Sequence, residues 1–147
     1  MRVGLIIGVW LLLGCSKTRL VSSRSVILEP KDAPKVVKSC NPEIPPDIAG
    51  YWTPSIADAQ QMEALLPDFL LNSPIHRQFA DYYRQYVGVI ANGRKLVYVS
   101  AFITPSEWHI RWKTYPVAVC GGGSDYWRVA FDPQMKRFSH WDVNGPL

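Results

Sequence analysis

"YYRQYVGVIANGRKLVYVSAFI" (residues 82–103) decides how this chain is built. Two apolar runs flank Asn92-Gly93. Asn-Gly between such runs is the strongest short hairpin signal, because both turn residues must take positive φ. A two-residue turn there sets the register, with Ala91 opposite Arg94, Val89 opposite Leu96 and Val87 opposite Tyr98. One face then carries Tyr83, Gln85, Val87, Val89, Leu96, Tyr98, Ser100 and Phe102. The other carries Tyr82, Arg84, Tyr86, Ile90, Val97, Val99, Ala101 and Ile103. Both faces are apolar, so either the sheet curls or something else covers its second side. Arginine resists burial unless it is paired, and Arg84 therefore points the second face outward. On that reading Tyr82, Arg84 and Tyr86 form a surface for a partner, since aromatic and arginine side chains are enriched where proteins meet. A core or satisfied-surface position for the same three residues is the commoner outcome for such side chains, and the partner surface is kept beside it.

Upstream, "TPSIADAQQMEALLPDFLLNS" (residues 53–73) predicts the one long helix. Ser55 caps its start with Asp58 in near capping-box spacing, and Ile56, Ala59, Met62, Ala64, Leu65 and Leu66 recur at helical spacing. Pro67 should end or kink it. A second short helical stretch is expected over residues 74–81. Downstream, "PVAVC", "DYWRVAFD" and "RFSHWDV" read as further strands, separated by Gly121-Gly122-Gly123 and by "PQMK". The expected fold is α+β: one long helix packed on an antiparallel sheet of four or five strands.

From about Trp52 onward these motifs resemble a group of small uncharacterised bacterial exported proteins. The resemblance rests on "YYRQYVGVIANGRKLVYVSAF", Trp112, "PVAVCGGGSDYWRVAFDP", Phe138 and Asn144-Gly145. The chain departs from the group's pattern at Gly121, where an Asp is expected, and at Phe131, where a Tyr is expected. No activity follows from the resemblance. A helix followed by an antiparallel meander also resembles the cystatin fold, which makes a protease inhibitor one functional alternative, although "RQYVGVIANG" is only loosely similar to an inhibitor loop.

At the other end, Arg2 precedes an uncharged, apolar run from Val3 to Leu13. That is about half of the roughly 20 residues a spanning helix needs, and it reads as a signal peptide. Leu12-Leu13-Gly14-Cys15 resembles the lipobox of bacterial lipoproteins, which implies cleavage before Cys15 and attachment of acyl chains such as palmitate to that cysteine. Several chains hold a protein firmly where one holds weakly. Ser16, a non-acidic residue, resembles outer-membrane sorting in enteric-type bacteria. The expected organisation is a lipoprotein signal peptide at 1–14, a lipidated, basic, Pro-containing tether at 15–49, and a compact domain at 50–147. "SVILEP" (residues 25–30) is a possible short strand inside the tether.

Charge supports that division. The 147 residues carry a formal net charge of +4. Residues 16–38 hold six basic and two acidic side chains, whereas residues 50–147 hold nine and eight. The tether thus holds the basic excess, available to anionic headgroups. The near-neutral domain lacks the basic stripe of a nucleic-acid binder, so no nucleic-acid partner is expected.

Catalytic chemistry is sparse. The sequence contains no HExxH, no CxxC and no phosphate-binding glycine loop. "CGGGSD" lacks a Lys-Ser/Thr after its glycines and reads as a tight turn. Glu107 with His109, and His140 with Asp142, are too few for an expected metal site, and no cofactor is expected. Cys120 beside three glycines is a possible nucleophile, with His109 or His140 as its base. Once Cys15 is lipidated, however, Cys40 and Cys120 remain as an even pair in an exported chain, which reads first as a disulfide. The sequence therefore points to a membrane-anchored envelope lipoprotein, not an enzyme. It would bind, or structurally support, an envelope protein or a cell-wall component, with a cystatin-like inhibitor or a Cys120 hydrolase as alternatives.

Overall fold

The structure is a computed structural model that describes residues 19–103 and 111–146. Among them the chain is mixed α and β: strands β1 (Arg19–Ser22), β2 (Ser25–Ile27), β3 (Ile48–Trp52), β4 (Tyr83–Ala91), β5 (Arg94–Phe102), β6 (Tyr126–Asp132) and β7 (Arg137–Val143), and helices α1 (Ala33–Lys38) and α2 (Ile56–Leu70). All seven strands join one sheet in the order β1-β2-β4-β5-β6-β7, with β3 also paired to β4.

The β4–β5 hairpin has the register expected from Asn92-Gly93: Ala91 faces Arg94, Val89 faces Leu96 and Val87 faces Tyr98. The turn residues sit at φ 50° and 71°. The free edge of β4 is divided between two partners. β2 pairs in parallel with its first half, Ser25 to Arg84 through Ile27 to Tyr86. β3 pairs antiparallel with its second half, Trp52 to Gly88 through Ile48 to Ala91. The expected sheet of four or five antiparallel strands is thus corrected to seven strands, one pairing of which is parallel.

Both faces of the hairpin are covered. Over the face of Val87, Val89, Leu96, Tyr98 and Phe102 lie Val26, Leu28, the buried side of α1 (Ala33, Val36, Val37), and Trp112 and Val117. Over the face of Tyr82, Tyr86, Val97, Val99 and Ala101 lies α2, through Ala59, Met62, Leu66 and Leu70. The N-terminus of α2 carries a complete capping box, Asp58 N donating to Ser55 Oγ (3.0 Å) and Ser55 N to Asp58 Oδ2 (2.8 Å). The helix continues through Pro67 to Leu70 instead of stopping there.

Three other expectations are corrected. Residues 19–38 are not a spacer: they form β1, β2 and α1, and Val26, Ala33 and Val37 are fully buried. "PVAVC" is not a strand but an irregular segment crossing the α1 face; Val117 N donates to Gln85 Oε1 (2.8 Å), and Val119 O accepts from Asn144 Nδ2 (2.7 Å). Of the helical stretch expected over 74–81, only a single 3-10 turn, Phe79–Asp81, forms.

Gly88 lets β3 close on β4. A Cβ there would collide with the carbonyl oxygen of Trp52 and come within 2.6 Å of its indole Cδ1. That indole caps the hairpin, its Nε1 donating to Val89 O (3.3 Å) and Leu96 O (3.2 Å). Replacing Gly88 by Ala should push Trp52 off β4 and cost about 1–3 kcal/mol, the usual range for overpacking. Urea unfolding followed by tryptophan fluorescence measures it, and an unchanged midpoint would refute the contact.

Candidate functional site

Three polar clusters sit on this scaffold. The first lies under α2. Arg84 is 4 % exposed, and its Nε donates to Glu63 Oε1 (2.9 Å). Its Nη1 donates to Tyr82 O (2.6 Å) and Phe79 O (3.2 Å), and its guanidinium stacks 4.2 Å from the Phe79 ring centre. Tyr86 Oη donates to the same Glu63 oxygen (3.0 Å). Tyr82 and Tyr86 are fully buried. The expected outward surface of Tyr82, Arg84 and Tyr86 is therefore corrected: α2 covers all three. The physical reason is the exception stated for arginine itself, since Glu63 pairs with it inside. The missed residue is Glu63. Its signal was a carboxylate next to Met62 and four residues after Ala59, on the apolar stripe of α2.

The second cluster lies on the opposite face. Arg128, 3 % exposed, donates from Nη1 to Asp142 Oδ2 (3.1 Å) and from Nη2 to Val119 O (3.2 Å). Beside it, Asn144 Nδ2 also reaches Gly121 O (2.8 Å). This cluster satisfies the irregular backbone that leads to Cys120. Cys120 is bonded to Cys40, 80 positions earlier in the sequence, with Cα atoms 5.4 Å apart. The disulfide withdraws Cys120 from nucleophilic chemistry. Cys15, the apolar run before it, Glu107 and His109 lie outside the described residues.

The third cluster is open to solvent. The β4–β5 turn, the β6–β7 turn and the segment entering β3 all emerge at one end of the sheet. Between them is a cleft of about 300 Å³. Pro45 and Pro46 form one wall, Ala91 and Leu96 contribute apolar floor, and Arg94, Asp132, Arg137 and His140 supply the polar lining. Asp132 is already engaged: Oδ1 accepts from Gln134 N (2.9 Å) and Met135 N (3.0 Å), and Oδ2 accepts from Arg94 Nη1 (3.1 Å). Arg137 forms no salt bridge among the described residues. His140 sits in a bulge, where Ala130 pairs with Ser139 but Arg128 pairs with Asp142, and its φ is 54°. The bulge separates His140 from the simple alternation that would have linked it to Asp142. A neighbouring hollow of about 500 Å³ shares Arg94 and Asp132, but its other charged groups are committed, Asp58 to the helix cap and Lys95 to the Trp52 ring at 5.1 Å.

Among the described residues no group of His, Cys, Asp and Glu is arranged to hold a metal ion. No protein-family model, curated protein or solved structure matches this chain.

Two measurements check the buried clusters. Arg84→Ala strands Glu63 under α2 and should cost about 3–5 kcal/mol, the usual penalty for breaking a buried pair; a melting temperature close to that of the parent would return Arg84 to the surface. The second concerns alkali. Burial, reinforced by the Asp125 carboxylate, pushes the Tyr82 hydroxyl from 10.0 up to about 12. Burial also raises Tyr98, and raises Tyr86 with help from Glu63. For each group the folded value exceeds the unfolded one, so its stabilising contribution is intact below the unfolded value and lost as pH rises through the folded one; for Tyr82 that window runs from pH 10 to about 12, and for Tyr86 and Tyr98 it reaches further into alkali. Tyrosinate absorbance should show these three ionising together with unfolding, after the exposed tyrosines. Smooth titration of all tyrosines near pH 10 in the folded state would contradict their burial.

Proposed function

We propose that the chain is an exported, lipid-anchored envelope protein, held through Cys15 in the outer membrane facing the periplasm, with a non-catalytic binding role. The observation that carries the export reading is the Cys40–Cys120 disulfide, because such bonds persist in oxidising compartments. The lipobox-like Leu12 to Cys15 supports the anchor. The small exported bacterial proteins that the domain resembles support the same placement, and the cleft beside Pro45 and Pro46 is the binding surface.

The fold changes what such an anchor does. With β1 beginning at Arg19, only three residues, Ser16 to Thr18, separate the domain from Cys15, four residue steps in all. Fully extended, they reach at most about 14 Å. A lipid on Cys15 thus holds the domain against the headgroups, with no long tether, and brings Arg19 at the start of β1 within reach of anionic lipid. Its partner, an envelope protein or a cell-wall component, must then approach the membrane surface. The helix followed by a meander keeps a cystatin-like inhibitor as the alternative, since a fold hosts many functions.

Mass spectrometry of protein extracted from membranes should find acylated Cys15 as the first residue, and Cys15→Ser should leave the precursor uncut. A mature chain starting elsewhere and soluble without detergent would overturn the anchor. Short-reach crosslinking in cells should capture membrane-proximal partners, and inhibition of a papain-type protease would favour the alternative.

A further inference from the structure

We propose that the cleft between the Pro45–Pro46 wall and the β6–β7 hairpin binds an anionic group, carboxylate or phosphate, on a ligand of about amino-acid to dipeptide size. This names the ligand class for the binding role proposed above and rests on that reading.

Three independent features converge. The first is charge. Asp132 is the one carboxylate in the lining, and both of its oxygens are occupied from within the protein. Arg94 is held in place by that contact, while the exposed Arg137 has no salt-bridge partner among the described residues. Two guanidinium groups against one satisfied carboxylate leave the cleft positive. A planar guanidinium fork matches carboxylate and phosphate in two-pronged fashion.

The second feature is backbone strain. His140 holds a left-handed conformation that glycine would adopt without penalty. Bulges re-aim side chains beside ligand sites, and residues held in sparsely populated backbone regions collect where ligands bind. Here the bulge turns an imidazole into the cleft lining. The third feature is rigidity. The proline wall follows Cys40, which is locked to Cys120, and Asn41, which donates to Tyr98 Oη and accepts from Glu43 N (2.9 Å). Proline restricts φ further, so the wall is set before any ligand arrives. The floor of Ala91 and Leu96 accommodates an apolar portion next to the acidic group.

The test is an NMR titration of the oxidised full chain in neutral detergent with citrate and, separately, inorganic phosphate, at constant ionic strength maintained with chloride. The expected result is saturable shifts confined to the Asn92 amide, the Arg94 and Arg137 guanidinium signals and the His140 ring. Preference for citrate assigns a carboxylate ligand, and preference for phosphate a phosphorylated one. Arg137→Gln should weaken binding about tenfold or more, as loss of a charge-assisted hydrogen bond does. His140→Gly should weaken binding while raising the melting temperature, because it removes the strain along with the imidazole. A fall in melting temperature with unchanged affinity would make His140 purely structural and overturn its role. Shifts that do not saturate, that spread over surface lysines, or that persist unchanged in Arg137→Gln would overturn the site. None of these outcomes bears on acylation at Cys15, which is read separately by mass.

Discussion

The structure depends on one constraint: the β4–β5 hairpin is apolar on both sides and therefore needs two covers. Val87, Val89 and Tyr98 on one face, and Tyr86, Val97 and Val99 on the other, are all fully buried. Leaving either face in water would forfeit about 1.5–3 kcal/mol for each such side chain. A sheet with a single helix beside it meets half of that demand. The chain meets the rest with residues on either side of α2 in sequence, α1 before it and the segment at 112–121 after it.

The two covers differ in kind, and the polar residues between them reflect this. α2 satisfies its own backbone, so the interface below it needs one ionic contact, Glu63 with Arg84. The 112–121 segment is irregular, and buried backbone without a ladder must find partners elsewhere. Gln85 reaches Trp112 O, Tyr115 O and Val117 N, while Arg128 and Asn144 both reach Val119 O. The disulfide then ties this segment to the end of α1, and closing a loop of 80 residues removes about 4–5 kcal/mol of unfolded-chain entropy in the chain-entropy picture. Arg84 and Arg128 thus lie on opposite faces, each with its own acid. An unpaired buried guanidinium is costly enough to reject exchange of the covers.

What was legible in the sequence was local and strongly patterned. The Asn92-Gly93 register, the Ser55–Asp58 capping box, strands β6 and β7 and the pairing of the two cysteines all follow from short-range chemistry or elimination. What was not legible depended on distant partners. α1 has only Ala33, Val36 and Val37 as its apolar face, one turn of pattern beside Pro30 and Pro34, and it is a helix because the sheet is there to receive it. The short strand read in residues 25–30 does form, as β2, but its parallel pairing with the edge of β4, more than 50 positions away, has no local signal. "PVAVC" has strand composition, but its backbone partners are side chains. Arg84 was placed outward because Glu63 could not be seen beside it.

The candidate site follows from the same constraint. With both faces covered, the hairpin's remaining accessible groups lie at the strand ends, where turns leave polar side chains in water. Three chain segments meet at the end that holds Asn92-Gly93, and two of them bring arginine. No local pattern announces this, because Pro45, Arg94 and His140 are brought together by the antiparallel return of β5, β6 and β7 and by the entry of β3. The bulge matters for the same reason. In an unbulged strand His140 and Asp142 would share a face, as alternation requires. One extra residue breaks that relation, leaving Asp142 to neutralise the buried Arg128 while His140 lines the cleft with Arg137. A single insertion in the ladder thus separates the acid that the core needs from the imidazole that the surface presents.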